Sequence, residues 1–269
     1  MWKGILYTVI TIIFYYLIST GLTLVLSLDD SIEFLSNINE SVLLFINSFF
    51  YLFLISIIFI FLSIYKVRRY SVTKSKISLK AIFQILSIVV IMRIIEDPLL
   101  RMSTIIENVN IPTVEVQKII SFPELISIIF GVVLLGPVFE EILFRKIMLS
   151  FYTKEHLIVG ILLSSFIFAF THFNDSFTNY LSFFFSFMFG IVACCVYLKK
   201  GLFYGILFHV SYNMLWLILQ EHEKAYWDVL QVLNFGVWYW LIIMTSMSLF
   251  LYIGYEYSCP FILKRKTPR

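Results

Sequence analysis

The sequence is poor in the residues that mark disulfide frameworks and metal-binding modules. It contains three cysteines in 269 residues, at Cys194, Cys195 and Cys259, and no Cys-x-x-Cys pair. A disulfide framework and a structural zinc site are therefore unsupported, and small buried or interfacial thiols are the favoured interpretation. The sequence also lacks His-Glu-x-x-His, which disfavours the zinc metalloprotease class.

Charge is scarce as well. Charged residues make up 14% of the chain against 60% that are hydrophobic, and the formal net charge is +3. Nucleic-acid binding needs clustered basic residues that face the phosphates, so no nucleic-acid partner is expected. A soluble domain has no means of burying so much apolar surface, and the composition therefore predicts an integral membrane protein in contact with membrane lipid.

Apolar runs long enough to cross about 30 Å of hydrocarbon determine the predicted architecture. They indicate an all-α, polytopic membrane helix bundle of about eight transmembrane helices. The predicted spans lie near 4–27, 41–65, 78–95, 124–150, 157–173, 179–198, 201–220 and 232–257. Because no internal repeat, low-complexity tract or second domain is visible, residues 1–269 are predicted to form a single integral-membrane domain.

Basic residues indicate the orientation of this bundle. Lysine and arginine concentrate near the N-terminus, in the 66–76 loop, at Lys154, at Lys199 and Lys200, and in the C-terminal tail. The connections on the other side of the predicted bundle are mainly acidic. By the positive-inside rule both termini are predicted to be cytoplasmic. The first span is too long for a signal peptide and is expected to stay uncleaved. The short loops and the richness in Ile, Phe, Asn and Lys favour a bacterial plasma membrane.

The fourth, fifth and seventh predicted spans carry carboxylate, guanidinium, imidazole or amide side chains, which are costly and rare at membrane depth. The fourth span contains Glu140-Glu141-x-x-x-Arg145, the fifth Phe168-x-x-x-His172 and the seventh His209-x-x-x-Asn213. Intramembrane groups of this kind usually mark function, so the sequence predicts a buried reaction centre. In contrast, Arg93 stands near the external end of its span and is expected to snorkel.

The two adjacent glutamates are expected to have different roles, because neighbouring residues on an α-helix point about 100° apart. Glu141 and Arg145 are four residues apart, so they can pair on one helix face and offset part of the cost of burying each ion. Four residues after Glu140 stands Phe144, which is no counter-ion. Glu140 is therefore the candidate general base or acid.

His209 and Asn213 also share one helix face and present two potential hydrogen-bond donors. Two such donors could form an oxyanion hole. Each residue has a plainer interpretation as well. A lone histidine or asparagine in a span often joins two helices by a hydrogen bond, and Phe168 is expected to be a packing residue. A metal site is a further alternative, since Glu140, His172 and His209 are plausible zinc ligands that leave an open position for water.

Taken in order on successive helices, Glu140-Glu141-x-x-x-Arg145, Phe168-x-x-x-His172 and His209-x-x-x-Asn213 resemble the motifs of the CAAX protease and bacteriocin-processing family. Its members are intramembrane glutamic proteases, and it is also called the Abi or type II CAAX prenyl endopeptidase family. The resemblance covers roughly residues 120–220, the predicted catalytic core. Lys146 departs from the pattern, because many members have glycine after the arginine.

The resemblance implies an eight-helix membrane endopeptidase that needs no cofactor. Glu140, assisted by His172, would activate a water to attack a peptide bond, and His209 with Asn213 would bind the oxyanion. Glu141 and Arg145 would hold the site in shape. The implied substrate is a membrane-associated peptide or protein, such as a prenylated C-terminal peptide, a bacteriocin or a signalling peptide. The alternatives are a non-catalytic bacteriocin-immunity or scaffolding protein of the same fold, and a zinc-dependent protease.

Overall fold

The computed structural model describes residues 2, 4–9, 77–100, 122–173, 180–222, 225–226, 228–229 and 236–263. About 94% of these residues are helical, and no strand occurs among them. The all-α prediction is therefore confirmed. The described residues do not include the predicted span 41–65, most of the span 4–27 or the basic 66–76 loop. The total of eight spans and the cytoplasmic location of both termini therefore stay predictions.

Six helices organise the described part of the chain. We number them α1 (Leu79–Leu100), α2 (the consecutive segments from Phe122–Ile128 to Met148–Phe151), α3 (Leu157–Thr171), α4 (Tyr180–Lys200), α5 (Leu202–Glu221) and α6 (Val237–Leu263). Four helical stretches within the described residues are long and apolar enough to cross a membrane: Leu125–Phe151, Lys154–Thr171, Tyr180–Lys200 and Leu202–Glu221. They agree with the fourth to seventh predicted spans to within a few residues.

Helix α2 is not a regular α-helix. It contains two π-helical turns, Ile129–Leu135 and Glu141–Ile147, on either side of the α-helical segment Gly136–Glu140. The first turn ends just before Pro137, which has no N–H to donate and whose ring would clash with the carbonyl of Val133 in a regular helix. Widening the preceding turn removes this conflict, and the Gly136 N–H accordingly donates to the Gly131 carbonyl five residues back. Such turns occur frequently at functional sites.

The chain divides into two compact units, residues 1–70 with 120–171 and residues 71–119 with 172–269. In the first unit, the Thr8 and Tyr152 hydroxyls are hydrogen-bonded at 2.9 Å, which ties the N-terminal helical stretch to the connection between α2 and α3. Burial raises the pKa of the Tyr152 phenol, so the hydroxyl stays protonated and keeps this bond. Helix α3 approaches Tyr152 closely at Gly160.

In the second unit, α5 packs against both α1 and α4, and α1 also packs against α6. Gly201 joins α4 to α5 in one residue with φ of 104°, a conformation that glycine adopts without steric cost. At the start of α1, the Ser78 N–H donates to the Tyr204 hydroxyl of α5 at 2.9 Å. Helix α5 is thus held from two sides, by α1 and by α4.

Candidate active site

Glu141 and Arg145 form a fully buried ion pair inside the second π-helical turn of α2. Arg145 Nε lies 3.5 Å from Glu141 Oε2, and both side chains are 0% exposed. The pairing expected from their spacing is therefore present. Because an isolated ion buried at this depth would be strongly disfavoured, each partner makes the burial of the other tolerable.

Two aromatic rings complete the surroundings of this ion pair. The Arg145 guanidinium carbon lies 4.8 Å from the centre of the Phe168 ring and 5.7 Å from that of Phe144, and the two rings meet edge to face at 5.5 Å. The negative ring face attracts the cation, most strongly where water is excluded. Phe168 packs as expected, and it also joins α3 to the buried arginine, a role that its sequence context did not reveal.

A polar contact links the same two helices. The Ser164 hydroxyl of α3 donates to the Phe144 carbonyl of α2 at 2.7 Å. A π-helical turn alters the helical hydrogen-bond pattern and leaves carbonyls in need of other donors. The three nitrogens of the Arg145 guanidinium have no hydrogen-bond partner within the described residues, so the cation relies on Glu141 and on the rings.

Glu140 stands at the junction between the α-helical segment Gly136–Glu140 and the π-helical turn that Glu141 begins. Its side chain is half-buried, in contrast to the complete burial of Glu141. Glu140 takes part in at least one interaction in the structure. Phe144, four residues along the helix, therefore does not by itself define the surroundings of Glu140. The two adjacent carboxylates thus occupy different environments.

His209 is buried in the second unit, where α5 faces α4. Its side chain is 3% exposed and its ring meets Phe189 of α4 with centroids 4.7 Å apart. Asn213 follows one turn later on the same helix and is half-buried. The expected common face of His209 and Asn213 agrees with the regular α-helix in this region.

His172 is placed differently from the expectation. Helix α3 ends at Thr171, so His172 lies in the turn just after the helix and its side chain is exposed. The predicted span 157–173 ran two residues too far. The Thr171 hydroxyl donates to the Phe168 carbonyl at 2.8 Å, which satisfies one of the carbonyls that a helix end leaves open.

The candidate residues fall into both compact units. Glu140, Glu141, Arg145 and Phe168 belong to the first, and His172, His209 and Asn213 to the second. The structure brings together Glu141, Arg145 and Phe168 in one unit. Within either unit, the described His, Cys, Asp and Glu side chains form no group of three suited to a metal ion. The association of Glu140 with the histidines stays a prediction.

Arg93 corrects one expectation from the sequence. It is buried, 8% exposed, and does not snorkel. Its Nη1 donates to Glu96 Oε2 at 3.3 Å and its Nη2 to the Tyr212 carbonyl of α5 at 3.2 Å. Helix α1 continues to Leu100, past the predicted end of the span at 95, so Glu96 supplies a counter-ion from the next turn. Tyr212 supplies an aromatic face, with its ring centre 3.6 Å from the Arg93 guanidinium carbon.

The fold and the buried groups define an α-helical integral membrane protein with ionisable side chains inside its apolar helices. Residues 122–215 match the family model described as type II CAAX prenyl endopeptidase Rce1-like. This segment runs from α2 into α5 and contains every motif residue named above, so the match confirms the resemblance read from the motifs. It supports a CAAX-type membrane protease in general. No curated protein and no solved structure matches the chain.

Proposed function

We propose that this protein is an intramembrane endopeptidase of the glutamic type, with residues 120–220 as the catalytic core of a single membrane domain. The observation that carries the proposal is the presence of all three motifs, in order, inside the segment that matches the Rce1-like family. The buried Glu141–Arg145 pair supports it, because Glu141 is committed to a counter-ion and the adjacent, less buried Glu140 is the better candidate for proton transfer.

In the proposed reaction, Glu140 takes a proton from a water molecule while the water oxygen bonds to the scissile carbonyl carbon. The carbonyl electrons move onto its oxygen, where His209 and Asn213 donate hydrogen bonds to the oxyanion. The carbon–nitrogen bond then breaks, and the leaving amine receives the proton held by Glu140. His172 assists Glu140, and its exposed position beyond the end of α3 is compatible with access for water.

The proposed substrate is a membrane-associated peptide or protein. The family description favours a prenylated C-terminal peptide, and a bacteriocin or signalling peptide is the other substrate class that the resemblance implies. Four helices long and apolar enough to span a bilayer support cleavage at the membrane, and we propose the bacterial plasma membrane as the site of action.

The test compares the wild-type protein with a Glu140→Gln variant, in membranes and as purified protein. An internally quenched farnesylated peptide ending in a CAAX sequence serves as the direct probe, and comparison of membrane peptides reveals other substrates. Loss of the general base should lower turnover by about 10²- to 10⁴-fold without loss of folded protein. His172→Gln should act in the same direction.

Glu155→Gln is the matched control, because Glu155 is an exposed glutamate in the connection before α3. It should retain wild-type turnover. Wild-type activity or phenotype in well-expressed Glu140→Gln would instead favour a non-catalytic immunity or scaffolding role. Turnover that a strong chelator abolishes and zinc restores would replace the glutamic mechanism by a zinc-dependent one.

A further inference from the structure

We propose that Arg93 is a positioning residue that holds the turn of α5 carrying His209 and Asn213. The inference rests on the proposed function, since it gives that turn its role as the oxyanion site. Arg93 contacts Tyr212 twice: Nη2 donates to the backbone carbonyl at 3.2 Å, and the guanidinium lies 3.6 Å from the ring centre. Tyr212 is the residue immediately before Asn213 and three residues after His209.

The contact reaches His209 through a series of aromatic ring contacts. The Tyr212 ring lies 4.6 Å from Phe189 of α4, and the same Phe189 ring lies 4.7 Å from the His209 ring. Arg93 therefore contacts Tyr212, and Phe189 contacts both Tyr212 and His209. Since packed interiors transmit small displacements, a shift of the Tyr212 ring should move the His209 imidazole.

Stability alone gives no reason to place an arginine at this position. Burying a guanidinium and a carboxylate costs desolvation that well-packed apolar residues avoid, and replacing such pairs by apolar residues is often neutral or stabilising. A planar guanidinium does what an apolar side chain does not. It donates to the Tyr212 carbonyl and lies over the Tyr212 ring at the same time, which constrains both the position and the rotation of the helical turn it contacts.

Glu96 and a neighbouring cavity make up the remaining surroundings of the Arg93 side chain. The Arg93–Glu96 contact at 3.3 Å holds the guanidinium from its own helix. Arg93 also borders a cavity of about 270 Å³ between α1, α5 and α6, whose other walls are largely apolar. Variants at position 93 therefore have room for a side chain of altered shape without overpacking the core.

The first experiment uses the NMR signals of the His209 ring to detect a change in its surroundings. The chain has four histidines, so labelled imidazole nitrogens give only four pairs of NMR signals to assign in detergent micelles. Arg93→Lys keeps the charge but loses the planar fork, and it should shift the His209 signal. The control Ile85→Ala removes a fully buried side chain two turns earlier on α1, and it should leave that signal in place. An unshifted His209 signal in Arg93→Lys overturns the inference.

A second variant covers the case in which the single change prevents folding. Arg93→Met with Glu96→Leu and Asp97→Asn removes the charge of Arg93 and of both buried carboxylates that interact with it, so no buried carboxylate is left without its cation and the variant should fold. It also removes both contacts to Tyr212, and it should shift the His209 signal at least as far as Arg93→Lys. A folded triple variant with the wild-type His209 signal would contradict the proposal.

The kinetic experiment uses the farnesylated quenched peptide. Misplacing the oxyanion donors should lower kcat of Arg93→Lys by about 10- to 100-fold, with KM within about twofold of the wild-type value. In a background that lacks both donors, His209→Ala with Asn213→Ala, the same change should lower kcat by less than about threefold, because no oxyanion donor is left for Arg93 to position. Independent, multiplying effects would refute the positioning role and leave the proposed function standing.

If Glu140→Gln cleaves the peptide as well as wild type, the proposed function fails, whereas the His209 signal still decides whether Arg93 positions that turn.

Discussion

At the scale of single residues, the two arginines that the structure describes, Arg93 and Arg145, are both buried and make the same kinds of contact. Arg145 pairs with Glu141 on its own helix and faces Phe168 from α3, and Arg93 pairs with Glu96 and faces Tyr212 from α5. A guanidinium is flat and more weakly hydrated than an ammonium, so one carboxylate and one ring compensate much of its lost hydration. Lysine would not replace either residue conservatively.

Removal of the Glu141 carboxylate is expected to destabilise the fold. Glu141→Gln leaves Arg145 buried without its counter-ion, and breaking a buried pair in this way costs about 3–5 kcal/mol. Thermal unfolding and the yield of folded protein in detergent measure the effect. The matched control replaces both residues, Glu141→Met with Arg145→Met, and should recover most of the lost stability. Wild-type stability of Glu141→Gln combined with lost turnover would place Glu141 in the chemistry.

At the scale of helices, the structure differs from the sequence interpretation most clearly in α2. The spacing argument assumed a regular α-helix, and the pair Glu141–Arg145 meets as expected although it lies in a π-helical turn. The change from α to π geometry falls between Glu140 and Glu141, which helps to give the two carboxylates different surroundings. Pro137 is the local signal for the first π-helical turn, Ile129–Leu135, which lies just before it.

Close approach at Gly160 is a second feature of the helices that can be tested. A Cβ at this position would lie 2.7 Å from Cδ2 and 2.8 Å from Cγ of Tyr152. Gly160→Ala should therefore force Tyr152 or α3 to move, at a cost of about 1–3 kcal/mol in the free energy of unfolding. Adding Tyr152→Leu should relieve part of that cost, as measured by melting temperature. An unchanged melting temperature for Gly160→Ala would show that the contact is not tight.

At the scale of the whole molecule, the family match spans α2 to α5 and leaves α1 and α6 outside it. The part of the second unit outside the match nevertheless contacts the candidate site, because Arg93 of α1 reaches Tyr212 on α5. The proposed core 120–220 is thus supported by a helix that precedes it in the sequence.

The orientation of residues 1–269 in the membrane is a further prediction. Basic residues near both termini and in the 66–76 loop should keep these parts in the cytoplasm. A fluorescent protein fused to either terminus should therefore fluoresce, and alkaline phosphatase fused there should be inactive. Fusions within residues 101–121, between α1 and α2, should show the opposite pattern. Active phosphatase at the C-terminus would mean an odd number of crossings or an inverted chain.

Sequence alone was enough for the features that depend on composition and local spacing. Apolar run lengths predicted the all-α fold and the positions of α2 to α5, because a helix is the way an apolar segment satisfies its own backbone inside lipid. The motif spacing also predicted the Glu141–Arg145 pair, since both residues stand on one helix and need no information about the rest of the fold.

Tertiary structure decided which neighbours complete each site. The ring over Arg145 comes from Phe168 and the ring over Arg93 from Tyr212, and neither pair of residues is close in sequence. Arg93 was expected to snorkel, and its burial follows from the packing of α1 on α5 and from the extension of α1 past Glu96. Such contacts arise only when helices pack, because local spacing carries no information about which faces of two distant segments meet.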